Sequence, residues 1–177
     1  MQKVTLFFII TILFFISVSF IPLKKEKVQW LTVAALQAAY NKNPKPILVD
    51  VYTRWCGWCK VMDKETYSNE KVAAYINEHY YAVKLDAERK DSVEWDGKKY
   101  GYNRVNKVND LAVYLTYGQG QMSFPTTVFL TALKARPAPL SGYLKVKEIE
   151  SPLKFFGEGV YKIQNFPEFN KTFSNSW

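Results

Sequence analysis

The sequence predicts an α/β domain built as a three-layer α/β/α sandwich around a central mixed sheet. Three observations predict it. Helical and strand patterns alternate from residue 30 to residue 86. The run Ile47-Leu48-Val49-Asp50-Val51-Tyr52 is apolar on nearly consecutive positions, as suits a central strand covered on both faces. Two further strand patterns and a closing helix follow residue 125, completing the layers.

In order, residues 30–41 carry Leu31, Ala34, Ala35, Ala38 and Ala39 at helical spacing, with Thr32 as N-cap. Asn43-Pro44-Lys45-Pro46 stops that helix. After the strand at 47–52, a helix is expected from residue 56 to about 66. Asn69 then caps a second helix over 70–78, and residues 80–86 read as the next strand. Asp96-Gly97, set between Val93-Glu94-Trp95 and Lys98-Lys99-Tyr100, signals a hairpin. Asn109-Asp110 caps a helix over 111–117, ended by Gly118 and Gly120. Residues 126–130 are a β-branched strand, and 142–144 read as one more short strand. Residues 147–156 place Ile149, Leu153 and Phe156 on one helix face. Proline fits only the first turn, so Pro152 moves the expected start nearer Ser151. Beyond residue 163 the pattern fades into a polar and aromatic tail.

The chain has 177 residues, enough for one domain with a core that needs no staples. Its net charge of +8, from 24 basic and 16 acidic residues, is scattered, as on a solvated surface. A nucleic-acid partner would need a concentrated basic face, and none is expected. Residues 4–23 are 20 uncharged positions between Lys3 and Lys24-Lys25. They read as a cleaved signal peptide, cut after Ser17-Val18-Ser19, or as an N-terminal membrane anchor. Either places the domain outside the cytoplasm, in periplasm or cell envelope, with membrane contact only through that segment. The expected organisation is 1–23 as leader or anchor, 24–163 as the domain with an insertion at about 87–123, and 164–177 as tail.

Cys56 and Cys59 are the only cysteines, too few for a disulfide scaffold or a four-cysteine zinc site. They follow the apolar strand directly and open a helix. A thiolate performs thiol–disulfide exchange, and a helix N-terminus lowers a thiol pKa. Cys56 is therefore the expected nucleophile, accessible to a partner, and Cys59, one turn on, the resolving thiol. Gly57 would let the backbone enter the helix without a clash. Asp50 has two readings, a solvent-facing strand-end carboxylate or a buried acid relaying a proton for Cys59. Lys84 either alternates out to solvent or pairs with Asp50 across the sheet. Pro125 is either a loop proline or a cis-proline leaving a strand edge for a substrate backbone. His79 reads as a surface or half-buried residue, and Met62 and Met122 as packing residues. No metal site or cofactor is expected beyond the dithiol itself.

The run ILVDVYTRWCGWCK resembles the active-site segment of the thioredoxin family, and residues 28–163 follow that pattern. The resemblance implies a thioredoxin-like fold, with Asp50 as the buried acid, Cys56 as nucleophile and Cys59 as resolving cysteine. Val83-Lys84-Leu85-Asp86 resembles the strand holding the family's lysine, and Phe124-Pro125-Thr126 its cis-proline signature. Trp55, Gly57, Trp58, Phe124 and Pro125 are then expected to contact substrate, with Trp58 exposed. Gly57-Trp58 replaces thioredoxin's Gly-Pro and resembles exported bacterial proteins with Cys-Gly-Trp-Cys-Lys-x-Met, here ending at Met62. The expected function is disulfide exchange in exported proteins by a monomer fed by a membrane-bound electron donor. The added hairpin is expected near the site. Two alternatives are a binding module with an inert disulfide and a soft-metal site for Cu(I).

Overall fold

The computed structural model describes residues 26–116 and 122–177. The expected leader at 4–23 and the helix stop at Gly118 and Gly120 lie outside the described residues. In chain order the elements are α1 (Val33–Lys42), β1 (Ile47–Tyr52), α2 (Gly57–Met62), a π-helical turn (Asp63–Tyr67), α3 (Glu70–His79) and β2 (Tyr81–Asp86). Then come β3 (Val93–Trp95), β4 (Lys98–Tyr100), β5 (Tyr102–Asn103), β6 (Val108–Asn109) and α4 (Asp110–Thr116). β7 (Thr126–Leu130), β8 (Ala138–Ser141), α5 (Val146–Gly157), a 3₁₀ turn (Val160–Lys162) and α6 (Phe166–Thr172) complete the chain.

The main sheet has the order β2-β1-β7-β8. β1 is parallel to β2, with Asp50 opposite Lys84, and antiparallel to β7, with Asp50 opposite Thr127. Side chains of β1 alternate between two cores. Ile47, Val49 and Val51 join one cluster with Val33 and Leu36 of α1 and Leu111 and Leu115 of α4. Leu48 joins the other, with Met62, Val72, Ile76 and Ile149 from α2, α3 and α5. Strand alternation therefore turns Asp50 toward the layer that carries the cysteines.

Local chemistry explains the helix starts. The Thr32 hydroxyl accepts from the Ala35 N–H, and Asn69 Oδ1 accepts from Lys71 and Val72. Asn109 Oδ1 accepts from Leu111 N–H at the start of α4. The hairpin turn puts Asp96 at φ 49° and Gly97 at φ 73°, the left-handed pair that a two-residue turn demands.

Five expectations are corrected. First, α1 buries Val33 and Leu36, while Ala34, Ala35 and Ala38 are exposed. Larger side chains gain more from burial than a methyl group, so they set the rotation of the helix. Second, the strand expected at 142–144 lies at Ala138–Ser141 and stops where Gly142 turns to φ 99°. Pro139 within it obscured the pattern, yet an edge strand tolerates a proline. Third, α5 runs through Pro152 instead of starting near it. An interior proline costs about 3 kcal/mol. Burying Ile149 and Leu153 completely, at roughly 1.5–3 kcal/mol each, offsets it. Fourth, the chain beyond residue 163 forms α6, capped by Asn165, and then folds back on α5. Fifth, the hairpin is not beside the dithiol. Trp95 Nε1 donates to the Leu133 carbonyl, beyond the end of β7 opposite to Pro125, and Gln37 of α1 holds the turn at Asp96 N–H.

Glu150 explains the folded-back terminus. It is fully buried, and its carboxylate accepts from the N–H groups of Ser176 and Trp177, the Ser176 hydroxyl and the Asn175 amide. Burial pushes its pKa up, but the bonds from Ser176, Asn175 and Trp177 together outweigh that and hold it at about 2. The folded value lies below the unfolded one, so this stabilisation is complete above about pH 4.5 and is lost as the pH falls towards 2. The loss should reach about 3 kcal/mol, and Glu150→Gln should flatten that limb in denaturant titrations between pH 5 and 2.5.

Candidate active site

β1 ends at Tyr52, and a tight turn brings the Cys56 N–H to the Thr53 carbonyl at 3.2 Å. Cys56 is thereby the N-cap of α2. Its Sγ accepts from the Cys59 N–H at 3.0 Å, as a cap oxygen would. The two sulfurs are bonded at 2.11 Å. A donor aimed at Cys56 Sγ favours its thiolate once the bond is reduced.

In this oxidised state Cys56 is only 3% exposed and Cys59 5%, which corrects the expected accessibility of Cys56. Each sulfur turns into the helix mouth to meet the other. What stands exposed is the pair of indoles flanking the first cysteine, Trp55 at 67% and Trp58 at 62%. Trp55 meets Phe124 edge-to-face at 6.1 Å, and its Nε1 donates to Glu88 at 3.1 Å. Trp58 stacks on Tyr143 at 5.7 Å, and the Tyr143 hydroxyl donates to Glu65. The peptide bond between Phe124 and Pro125 is cis, and the Pro125 carbonyl accepts from Gly142 N–H. Gly57 needs no special conformation, and a Cβ there would meet nothing within 4 Å. Its expected role in avoiding a clash is therefore not what the backbone requires. It leaves the surface beside Cys56 open.

Beneath the dithiol layer lies a charged group. Asp50 is 2% exposed, so the buried reading of this residue holds. Its Oδ2 is 3.4 Å from Lys84 Nζ, and its Oδ1 has no hydrogen-bond partner among the described residues. Desolvation pushes its pKa up to about 7; Lys84 opposes the rise and Asp63 adds to it. Lys84 does not belong to Asp50 alone. Its ammonium donates to both oxygens of Asp63 at 2.5 and 2.6 Å and lies over the rings of Trp30 and Tyr52. Burial lowers the lysine pKa, but the two carboxylates raise it further, so the cation is held. Tyr67 donates to or accepts from Thr127 Oγ1 at 3.0 Å, and burial, then the charge of Asp50, pushes its pKa well up.

Asp63, Tyr67, Tyr143 and Glu88 were not singled out from the sequence. Asp63 and Tyr67 had a legible signal, since they follow Cys59 by four and eight residues on one helical face. Tyr143 and Glu88 reach the site only through folding. His79 stacks on Tyr75, and Met62 is fully buried. No group of three or more potential metal ligands occurs among the described residues.

A mixed sheet, a disulfide at a helix mouth and a cis-proline whose neighbour Phe124 meets Trp55 define a thioredoxin-fold dithiol protein. Residues 17–165 match the family described as Thioredox_DsbH, protein of unknown function DUF255, and the chain belongs to that family. Among solved structures, a DsbH oxidoreductase superposes with a TM-score of 0.53 at 18% identity, covering 77% of this chain and 89% of that one. A thioredoxin from Thermus thermophilus superposes with a TM-score of 0.54 at 14% identity, covering 84% and 99%. At these identities they show the fold. Uncharacterized protein B0495.5 of Caenorhabditis elegans is 33% identical over 98 residues, 54% of this chain and 12% of its own length. The thiol:disulfide interchange protein DsbD of Pectobacterium atrosepticum is 36% identical over 45 residues, 25% of this chain and 8% of its own. The chain thus matches only about a tenth of the length of these curated relatives. Family, fold and the Cys56–Cys59 pair together support thiol–disulfide oxidoreductase activity.

Proposed function

We propose that this protein is a thiol–disulfide reductase of the cell envelope, acting on disulfides of exported proteins and recharged by a membrane-bound donor. The carrying observation is the Cys56–Cys59 disulfide at the mouth of α2, with the Cys59 N–H on Cys56 Sγ. The charge-free run at 4–23 supports the compartment, and the likeness to DsbD, a thiol:disulfide interchange protein, supports the chemistry.

In the reaction a donor first reduces the pair. The Cys56 thiolate attacks a substrate disulfide, forming a mixed disulfide and releasing one substrate thiolate. Asp50 takes the Cys59 proton, and the Cys59 thiolate attacks Cys56 Sγ. The Cys56–Cys59 bond forms again, and the second substrate sulfur leaves as a thiolate that is then protonated. The exposed Trp55, which meets Phe124 next to the cis Pro125, and the exposed Trp58, which stacks on Tyr143, are the aromatic surfaces on either side of Cys56 in the chain. An extended substrate segment would lie against these surfaces.

An equilibrium redox titration of the purified protein tests this. A potential near about −270 mV is expected for a reductant. A value near about −120 mV reverses the direction to disulfide donation. The burial of both cysteines favours one second reading, a binding module with an inert disulfide. A bond that refuses exchange with dithiothreitol would select it.

A further inference from the structure

We propose that Asp63 is a positioning residue of the dithiol chemistry: it draws the Lys84 ammonium away from Asp50 and, with Lys84, forms the route by which Asp50 exchanges its proton with solvent. This rests on the oxidoreductase reading and extends it to a residue outside the Cys-x-x-Cys motif.

One ammonium serves two carboxylates, and the geometry shows which holds it. Lys84 Nζ is 2.5 and 2.6 Å from the Asp63 oxygens and 3.4 Å from Asp50 Oδ2. The Asp63 side chain is 42% exposed, Asp50 only 2%. A hydrated carboxylate bears its charge at lower cost than a dry one. The shared cation therefore settles on Asp63, and the under-compensated Asp50 is the one that takes a proton. Its pKa of about 7 agrees with that arrangement.

The three groups also connect the buried Asp50, through Lys84, to the half-exposed Asp63. Asp63 and Lys84 line a cleft of about 280 Å³ with Lys27, Val28, Trp30 and Tyr67. None of Trp55, Trp58, Phe124 or Pro125 borders it. A partner seated over the disulfide leaves this outlet uncovered. Transfer balances simply. Lys84 first gives a proton to Asp63, and the amine lone pair so freed then takes the proton of Asp50, so the ammonium is restored. The neutral acid passes from Asp50 to Asp63, and Asp63 releases the proton to water. The other groups facing these three are Tyr67, held by Thr127, and Lys27 at the cleft. A second cleft reaches Lys84 past Glu94 and Arg89, and Arg89 is paired with Asp91.

The test is a carboxyl ¹³C NMR titration of Asp50 in the full-length protein, oxidised and reduced, beside turnover against pH. In Asp63→Asn, Lys84 is left to Asp50 and the repulsion from Asp63 is gone. The Asp50 midpoint should fall by about one pH unit or more, and the pH profile of turnover should move the same way. Asp63→Glu should restore both. An unchanged Asp50 midpoint in Asp63→Asn, with folding verified by its spectrum, overturns the proposal. The NMR readout needs no activity. A wild-type protein with no turnover, in which Asp63→Asn still lowers the Asp50 midpoint, refutes the oxidoreductase reading and supports the coupling.

Discussion

Cys59→Ser is expected to stop turnover and leave Cys56 joined to its substrate by a stable disulfide. Cys59 lies within bonding distance of Cys56 and is the only other sulfur nucleophile of the chain. A serine hydroxyl cannot resolve a mixed disulfide, so the first attack proceeds and the second does not. Turnover should fall on the order of 10³-fold or more, as when one member of a catalytic unit is removed. Cys56→Ser should fall as far but form no adduct. Non-reducing mass spectrometry of the two variants after incubation with a disulfide-bonded protein separates these outcomes. An adduct on Cys59, with none on Cys56, would reverse the assigned roles.

Asp50→Asn is expected to make the protein more stable and slower. The Asp50 pKa is about 7 in the fold against 3.8 in an unfolded chain. An acid whose pKa is raised by folding is destabilising wherever the unfolded chain is ionised. The penalty grows as the pH rises from about 4 to 7 and then levels off. At pH 8 it amounts to about 4 kcal/mol, of which the variant should recover part, since an amide also needs hydrogen bonds there. At pH 4 the gain should vanish. Turnover should drop on the order of 10²-fold, the lower end of what a general base contributes. Urea unfolding at pH 4, 6 and 8 measures the first effect, and single-turnover release of substrate the second. Equal stability of the two proteins at pH 8 would mean that burial does not raise the Asp50 pKa in the fold.

Much of the fold was legible because its signals are local. Thr32, Asn69 and Asn109 announce helix starts through side chains that reach N–H groups two or three residues on. Asp96-Gly97 announces its turn through backbone freedom. The misread elements depend on distant partners. Pro152 sits inside α5 because that helix packs on the sheet, with Phe129 of β7 stacked on Phe156. Ala138–Ser141 is a strand because β7 offers it an edge. The terminal residues 175–177 are ordered by a carboxylate 25 to 27 positions earlier.

The site divides in the same way. The sequence by itself determined the dithiol, its place between an apolar strand and a helix, and the presence of an acid, a lysine and a proline at fitting positions. Only the tertiary structure decided that Asp50 is dry, that Lys84 binds Asp63 more closely than Asp50, and that the hairpin turns away from the cysteines. Spacing along a chain fixes what one helix or strand presents. Which of two carboxylates holds a cation is settled by desolvation and distances of a few ångströms between separate elements, and these exist only once the layers have packed.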